Sequence, residues 1–136
     1  RIKQYHDFNA VGAPAPLMEA AIVGLDMPES YYVEFQAHYA HMKKLFTDGL
    51  RSLGIPFTDP QGTYFTLVDI GPFLKKGQTD VEFCEEMAVK VGVACVPGTS
   101  FFMEDVQNIV RVHFAKRDET LLEALNRLGE LRTKMA

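Results

Sequence analysis

The stretch Val93-Ala94-Cys95-Val96-Pro97-Gly98, followed after a loop by Ile109-Val110-Arg111-Val112-His113-Phe114-Ala115, decides how the rest of the chain is read. Both segments are rich in β-branched and apolar residues, so Val93 to Val96 is expected to be a short strand ended by Pro97-Gly98, and Ile109 to Ala115 a further strand. Only the loop from Pro97 to Asn108 joins them. Two strands connected in this way suggest a mostly antiparallel sheet with helices packed on one side, an α+β layer. Alternation along the second strand puts Val110, Val112 and Phe114 on one face and Ile109, Arg111, His113 and Ala115 on the other.

Working outward, Tyr64 to Ile70 predicts a further strand, introduced by the turn Asp59-Pro60-Gln61-Gly62. Thr79-Asp80-Val81-Glu82 has the form of a capping box, in which Thr79 accepts from the Glu82 N–H and the Glu82 side chain reaches back. The helix it opens is expected to bury Cys84, Met87, Ala88 and Val91 and to close at Gly92. Asp118 is expected to cap a final helix with Leu121, Leu125, Leu128 and Leu131 on its inner stripe. Upstream, Tyr32, Phe35, Tyr39, Met42, Phe46, Leu50 and Leu53 follow the spacing of one helical face. Pro28 and Gly54 bound that helix. At roughly 24 residues it would be about 36 Å long, enough to span or bridge two domains. A shorter helix is predicted from about Pro16, a residue suited to a first turn, to Leu25. Residues 1–14 show no clear period.

The 136 residues carry a net charge of −4, with 47% hydrophobic and 24% charged residues, the balance of a single globular core. No apolar run approaches the ~20 residues that span a bilayer. The acidic balance, with no Lys/Arg cluster, argues against a nucleic-acid surface. Cys84 and Cys95 match no metal spacing and read as reduced core residues of an intracellular protein; the cytoplasm is the expected compartment, with an organelle as the alternative. The chain opens at Arg1 without a methionine, which suggests a fragment of something longer.

Arg111 stands out among the residues that could carry chemistry. A guanidinium presents a planar fork that grips a carboxylate through two parallel hydrogen bonds, which suits an amino-acid or keto-acid ligand. The plainer alternative is a sheet-surface arginine paired with a helix carboxylate. His38 and His41 lie one turn apart, but a zinc site needs at least three protein ligands and no third is evident, so no metal is expected. His113 shares a strand face with Arg111. Pro97-Gly98-Thr99-Ser100-Phe101 is a tight turn of the kind that can line a ligand cleft. No Ser or Cys stands in a nucleophile elbow.

Taken together, these segments resemble one family in order and spacing. Pro60-Gln61-Gly62-Thr63-Tyr64-Phe65 with Val68-Asp69-Ile70 is similar to the strand that opens the small-domain sheet of class I/II, fold-type I aminotransferases. Gly92-Val93-Ala94 with Val96-Pro97-Gly98-Thr99-Ser100-Phe101 resembles their turn before the closing strand. Val110 to Ala115, then Glu119-Thr120-Leu121 and Ala124-Leu125-Asn126-Arg127-Leu128, resembles that strand and the helix after it. Pro14 to Ala21 and Tyr31-Tyr32 resemble the helix starts upstream. The likeness covers essentially the whole chain and is nearest the kynurenine and broad-specificity branch.

The resemblance implies residues 1–28 as a segment following a large domain, residues 29–54 as the interdomain helix and residues 55–136 as the small C-terminal domain. It implies a pyridoxal 5'-phosphate enzyme moving an amino group between an amino acid and a 2-oxo acid. Arg111 would bind the substrate α-carboxylate, and Gly98, Ser100 and Phe101 would lie near the substrate mouth. A homodimer is implied, with His6 to Pro14 approaching the partner subunit's cofactor pocket, although Ala13 and Met18 replace more polar residues there. The family needs a lysine that forms a Schiff base with the coenzyme. None of Lys3, Lys43, Lys44, Lys75, Lys76, Lys90, Lys116 and Lys134 stands in the matching context. The chain alone is therefore expected to bind no coenzyme and to be inactive. A different class of reading is a free-standing α+β module that binds carboxylates or mediates dimerisation without catalysis.

Overall fold

A computed structural model of the chain describes residues 2–9 and 12–135. The chain divides into two compact units, residues 1–36 and residues 37–136. Helices α1 (Ile2–Asn9), α2 (Ala15–Leu25) and the start of α3 (Glu29–Ser52) make up the first. Helix α1 has no counterpart in the sequence reading, which found no clear period in residues 1–14. Pro16 lies in the first turn of α2, as expected, and the Leu17 and Met18 N–H groups both donate to the Pro14 carbonyl. The Tyr32 hydroxyl donates to the Gly24 carbonyl, which ties α3 to the end of α2. No residue of α2 is buried, and Leu17, Ile22, Val23 and Leu25 all face outward.

The second unit holds the core. Along α3, Met42, Phe46 and Leu50 recur every fourth residue and are buried. Gly54, at φ +63°, reverses the chain, and the Ile55 N–H closes the helix end on the Leu50 carbonyl. After the turn that follows, the left-handed conformation falls on Thr63 (φ 64°) rather than on Gly62. Strand β1 (Phe65–Asp69) then pairs with residues 56–58 through Thr58 N–H to Leu67 and Asp69 N–H to Pro56, at 2.8 and 2.9 Å. Helix α4 (Asp80–Lys90), strand β2 (Val96–Pro97), strand β3 (Ile109–His113), helix α5 (Asp118–Leu128) and helix α6 (Leu131–Met135) complete the chain. Two short 3-10 turns, Gly71–Phe73 and Gly98–Ser100, punctuate it.

The sheet has the order β1-β3-β2, and both pairings are antiparallel. Strand β3 is central, with Arg111 opposite Leu67 on one side and Val96 on the other. Thr66, Val68, Val110 and Val112 point into the core with Phe83, Met87, Leu121, Leu128, Leu131 and the α3 stripe. The opposite face carries Phe65, Leu67, Arg111 and His113, none of them buried. The expected α+β layer with helices on one side is the fold observed.

Three local expectations need correction. The capping box at Thr79 and Glu82 forms as read, yet Phe83 is fully buried where Ala88 is exposed. Residues 80, 83, 84, 87 and 91 fall within one stripe of roughly 100°, and residue 88 lies beyond its edge. The segment Val93 to Cys95 is not strand: Gly92 turns at φ +78°, and only Val96 and Pro97 come into register with β3. Asp118 does not cap α5; Arg117 is the N-cap residue and makes no side-chain cap bond. The Asp118 carboxylate instead takes the His41 Nε2 at 2.7 Å.

Gly98 is where the fold is tightest. A Cβ there would sit 2.3 Å from the Ile109 carbonyl oxygen, a backbone atom with little room to yield. Gly98→Ala is expected to cost about 1–3 kcal/mol in chemical denaturation, the usual range for overpacking. Gly62→Ala, where a Cβ meets nothing within 4 Å, should leave the midpoint unchanged.

Candidate functional site

Strand β3 delivers Arg111 to the face of the sheet away from the helices, because its neighbours Val110 and Val112 are claimed by the core. The guanidinium carbon lies 4.2 Å from the centroid of the Phe101 ring and 4.9 Å from that of Phe65. Cation–π attraction of this kind contributes about 0.5–2 kcal/mol and orients the fork. Among the described residues Arg111 makes no ion pair and no side-chain hydrogen bond. Arg51 by contrast pairs with Asp48 at 2.7 Å, and Arg127 with Glu123 at 2.7 Å. The half-buried Arg111 therefore holds its N–H donors uncommitted while two aromatic rings lie against its guanidinium. The alternative of a helix carboxylate as its partner is not what the geometry shows.

The turn after β2 brings the other named residues into place. Gly98 is buried against the Ile109 backbone, Ser100 is exposed, and Phe101 reaches across to Arg111. The Phe101 N–H donates to the Gly98 carbonyl at 2.8 Å, closing the turn. Two residues that the sequence did not single out hold this loop at its ends. Asp80, fully buried at the start of α4, accepts from the Thr99 N–H at 2.9 Å. Asp69 accepts from the Asn108 side-chain amide at 3.0 Å and from the Gly71 N–H at 2.9 Å. Phe65, which the sequence alone marks as ordinary core material, lies instead on the same face as Arg111 through its pairing with His113. For Asp80 the available signal was its place one residue after a capping threonine, on the buried stripe of the helix.

A cleft of about 400 Å³ opens beside the site, lined by His113, Lys116, Glu123, Arg127 and the Gly92–Ala94 connection, without Arg111. Burial, and then the positive charges of Lys116 and Arg111, hold the His113 imidazole below its usual range. Cys95 and Cys84 are free thiols with sulfur atoms 3.2 Å apart. Their mutual hydrogen bond lowers the Cys84 thiol and raises that of Cys95, and burial adds to the rise. His38 lines a second opening, and no group of three metal-binding side chains occurs among the described residues. Of the segment His6 to Pro14, positions 10 and 11 lie outside the described residues. No helix among the described residues is long and apolar enough to cross a membrane.

The family model for aminotransferase class I and II matches residues 1–128. The chain belongs to the class I and II aminotransferases. The methionine aminotransferase of Escherichia coli is 31% identical over 132 residues, which cover 96% of this chain and 33% of that protein. The kynurenine–oxoglutarate transaminase of Dictyostelium discoideum is 26% identical over 151 residues, 96% of this chain and 35% of that one. Among solved structures, the N-succinyldiaminopimelate aminotransferase of Mycobacterium tuberculosis superposes with a TM-score of 0.77 at 30% identity, covering 92% of this chain and 33% of the other. The chain thus spans about a third of the length of the aminotransferases it matches.

Within this aminotransferase segment the lysines do not fit a Schiff-base coenzyme. Lys43 donates to the Pro60 carbonyl, Lys44 pairs with Asp48 and Lys134 with Glu130. Lys75 and Lys90 share the Glu86 carboxylate, which they hold down at about 2. Lys3 and Lys76 are exposed. Lys116 follows β3 and lines both openings. Its side chain is nonetheless exposed, far from the desolvated setting that makes a lysine amine reactive.

The folded His113 binds its proton more weakly than the unfolded chain, so its contribution to stability is complete above about pH 6.5 and is lost as pH falls through the folded value. An NMR titration of the ring protons is expected to give a midpoint below 6.5. Lys116→Ala should move that midpoint upward by removing one of the repelling charges.

Proposed function

We propose that this chain works as the small C-terminal part of a pyridoxal 5'-phosphate-dependent aminotransferase, in which Arg111 binds the α-carboxylate of the amino acid and of the 2-oxo acid. The observation that carries this reading is the unpaired guanidinium of Arg111, clasped between Phe65 and Phe101 on the helix-free face of the sheet. A planar carboxylate meets the fork through two parallel charge-assisted hydrogen bonds. Fixing one end of the substrate in this way orients its α-carbon and raises the rate through position rather than through proton transfer. Gly98, Ser100 and Phe101 line the approach, with Phe101 also excluding water from one face of the ion pair. Residues 1–28 follow a large domain, residues 29–54 connect it to the small domain of residues 55–136, and the working unit is a homodimer in the cytoplasm. The coenzyme and its lysine belong to parts of the enzyme other than these residues, as the paired and exposed lysines here support.

In the full-length enzyme, Arg111→Lys keeps the charge and loses the fork. It is expected to lower kcat/KM for amino acid and 2-oxo acid alike by roughly ten- to a hundredfold, the loss of one charged hydrogen bond. Unchanged kinetics would refute the carboxylate role. The chain by itself, incubated with pyridoxal phosphate, reduced with borohydride and digested for mass spectrometry, should carry no stoichiometric label on any lysine. A single stoichiometric label would place coenzyme binding within this segment.

A further inference from the structure

We propose that Asp80 is a positioning residue for the carboxylate-binding arginine: through Thr99 it fixes the turn that lays Phe101 on the Arg111 guanidinium. The inference rests on the carboxylate role argued above and extends it to a residue that touches neither substrate nor guanidinium.

Asp80 is fully buried, a rare place for a carboxylate unless its oxygens are satisfied. One oxygen takes the Thr99 N–H at 2.9 Å, and the Thr99 hydroxyl lies 3.0 and 3.2 Å from the two oxygens. Thr99 is therefore gripped by backbone and side chain at once, which fixes its orientation as well as its position. The backbone N–H of Asp80 reaches Gln107 Oε1 at 3.4 Å, so the same residue touches both arms of the loop between the 3-10 turn and β3. The charge sits in the first turn of α4, where the exposed N–H groups of the helix favour an anion.

The coupling to Arg111 is short. One residue separates Thr99 from Phe101, and the Phe101 N–H is held by Gly98 on the other side of Thr99. Gly98 cannot retreat, because it already packs on the Ile109 carbonyl of β3. With Gly98 fixed from below and Thr99 fixed from α4, the Phe101 ring has a defined station 4.2 Å from the guanidinium carbon. Releasing Thr99 frees the ring, and the guanidinium loses one of the two walls that hold its plane.

The test uses the full-length holoenzyme. Asp80→Ala should raise KM for a monocarboxylate amino acid about tenfold, since the fork that receives the carboxylate is no longer held in place. Asp80→Asn, which keeps an acceptor for the Thr99 N–H, should restore KM to within about threefold of the parent. Thr99→Val, a milder change that leaves the helix start intact, carries the test if Asp80→Ala does not fold and should raise KM about threefold. With arginine-selective 15N labelling, the Arg111 Nε–Hε signal, assigned by its loss in Arg111→Lys, lies upfield in the parent because of the ring currents. It should move toward the position of solvated arginines in Asp80→Ala and Thr99→Val. If folded variants keep both the parent KM and the parent signal while Arg111→Lys lowers kcat/KM, the positioning role is wrong and the carboxylate role stands. If Arg111→Lys leaves kcat/KM unchanged, both fall.

Discussion

The antiparallel strand β3, held on both edges, is the constraint from which the rest of the small sheet follows. Its two-residue period commits Val110 and Val112 to the helices, and that commitment obliges Arg111 to face the other way. A slip of β3 by one residue against its neighbours would bury a guanidinium and expose two valines. The register is guarded by packing on one face and by the close seat of Gly98 on Ile109 at one end. The site is in this sense a by-product of the core: the apolar contacts that stabilise the sheet also aim its one uncommitted cationic strand residue.

Elements with strong local chemistry could be read from the chain alone. The long helix, bounded by Pro28 and Gly54, was legible because its apolar stripe is long and its stop residue takes a positive φ. The capping box at Thr79 was legible because two side chains three residues apart satisfy each other's backbone. The failures lie where tertiary contact overrides local pattern. Val93 to Cys95 looks like strand by composition, but an edge with only two residues in register does not extend that far. Asp118 looks like a cap, and its carboxylate is drawn instead to His41, 77 residues away in the chain.

The site shows the same division. Arg111 and Phe101 could be named from sequence, one by its place in a strand and the other by its place in a turn. Their contact could not, because it depends on how far the loop between residues 98 and 109 folds back. Asp80 was invisible as a site residue for a related reason: at the start of a helix an aspartate is ordinary, and only the return of Thr99 to that helix shows what the carboxylate holds. Residues 2–36 leave many apolar side chains in the open, such as Leu17, Val23 and Tyr31.

The pair of rings around Arg111 has a consequence for its hydration. Rings 4.2 and 4.9 Å from the guanidinium carbon occupy space that water would otherwise fill around the cation. Part of its solvation is thereby replaced by aromatic carbon, whose electron-rich faces favour the charge but offer its N–H groups no strong acceptor. The openings left around those N–H groups are set by strand β1 on one side and by the turn after β2 on the other.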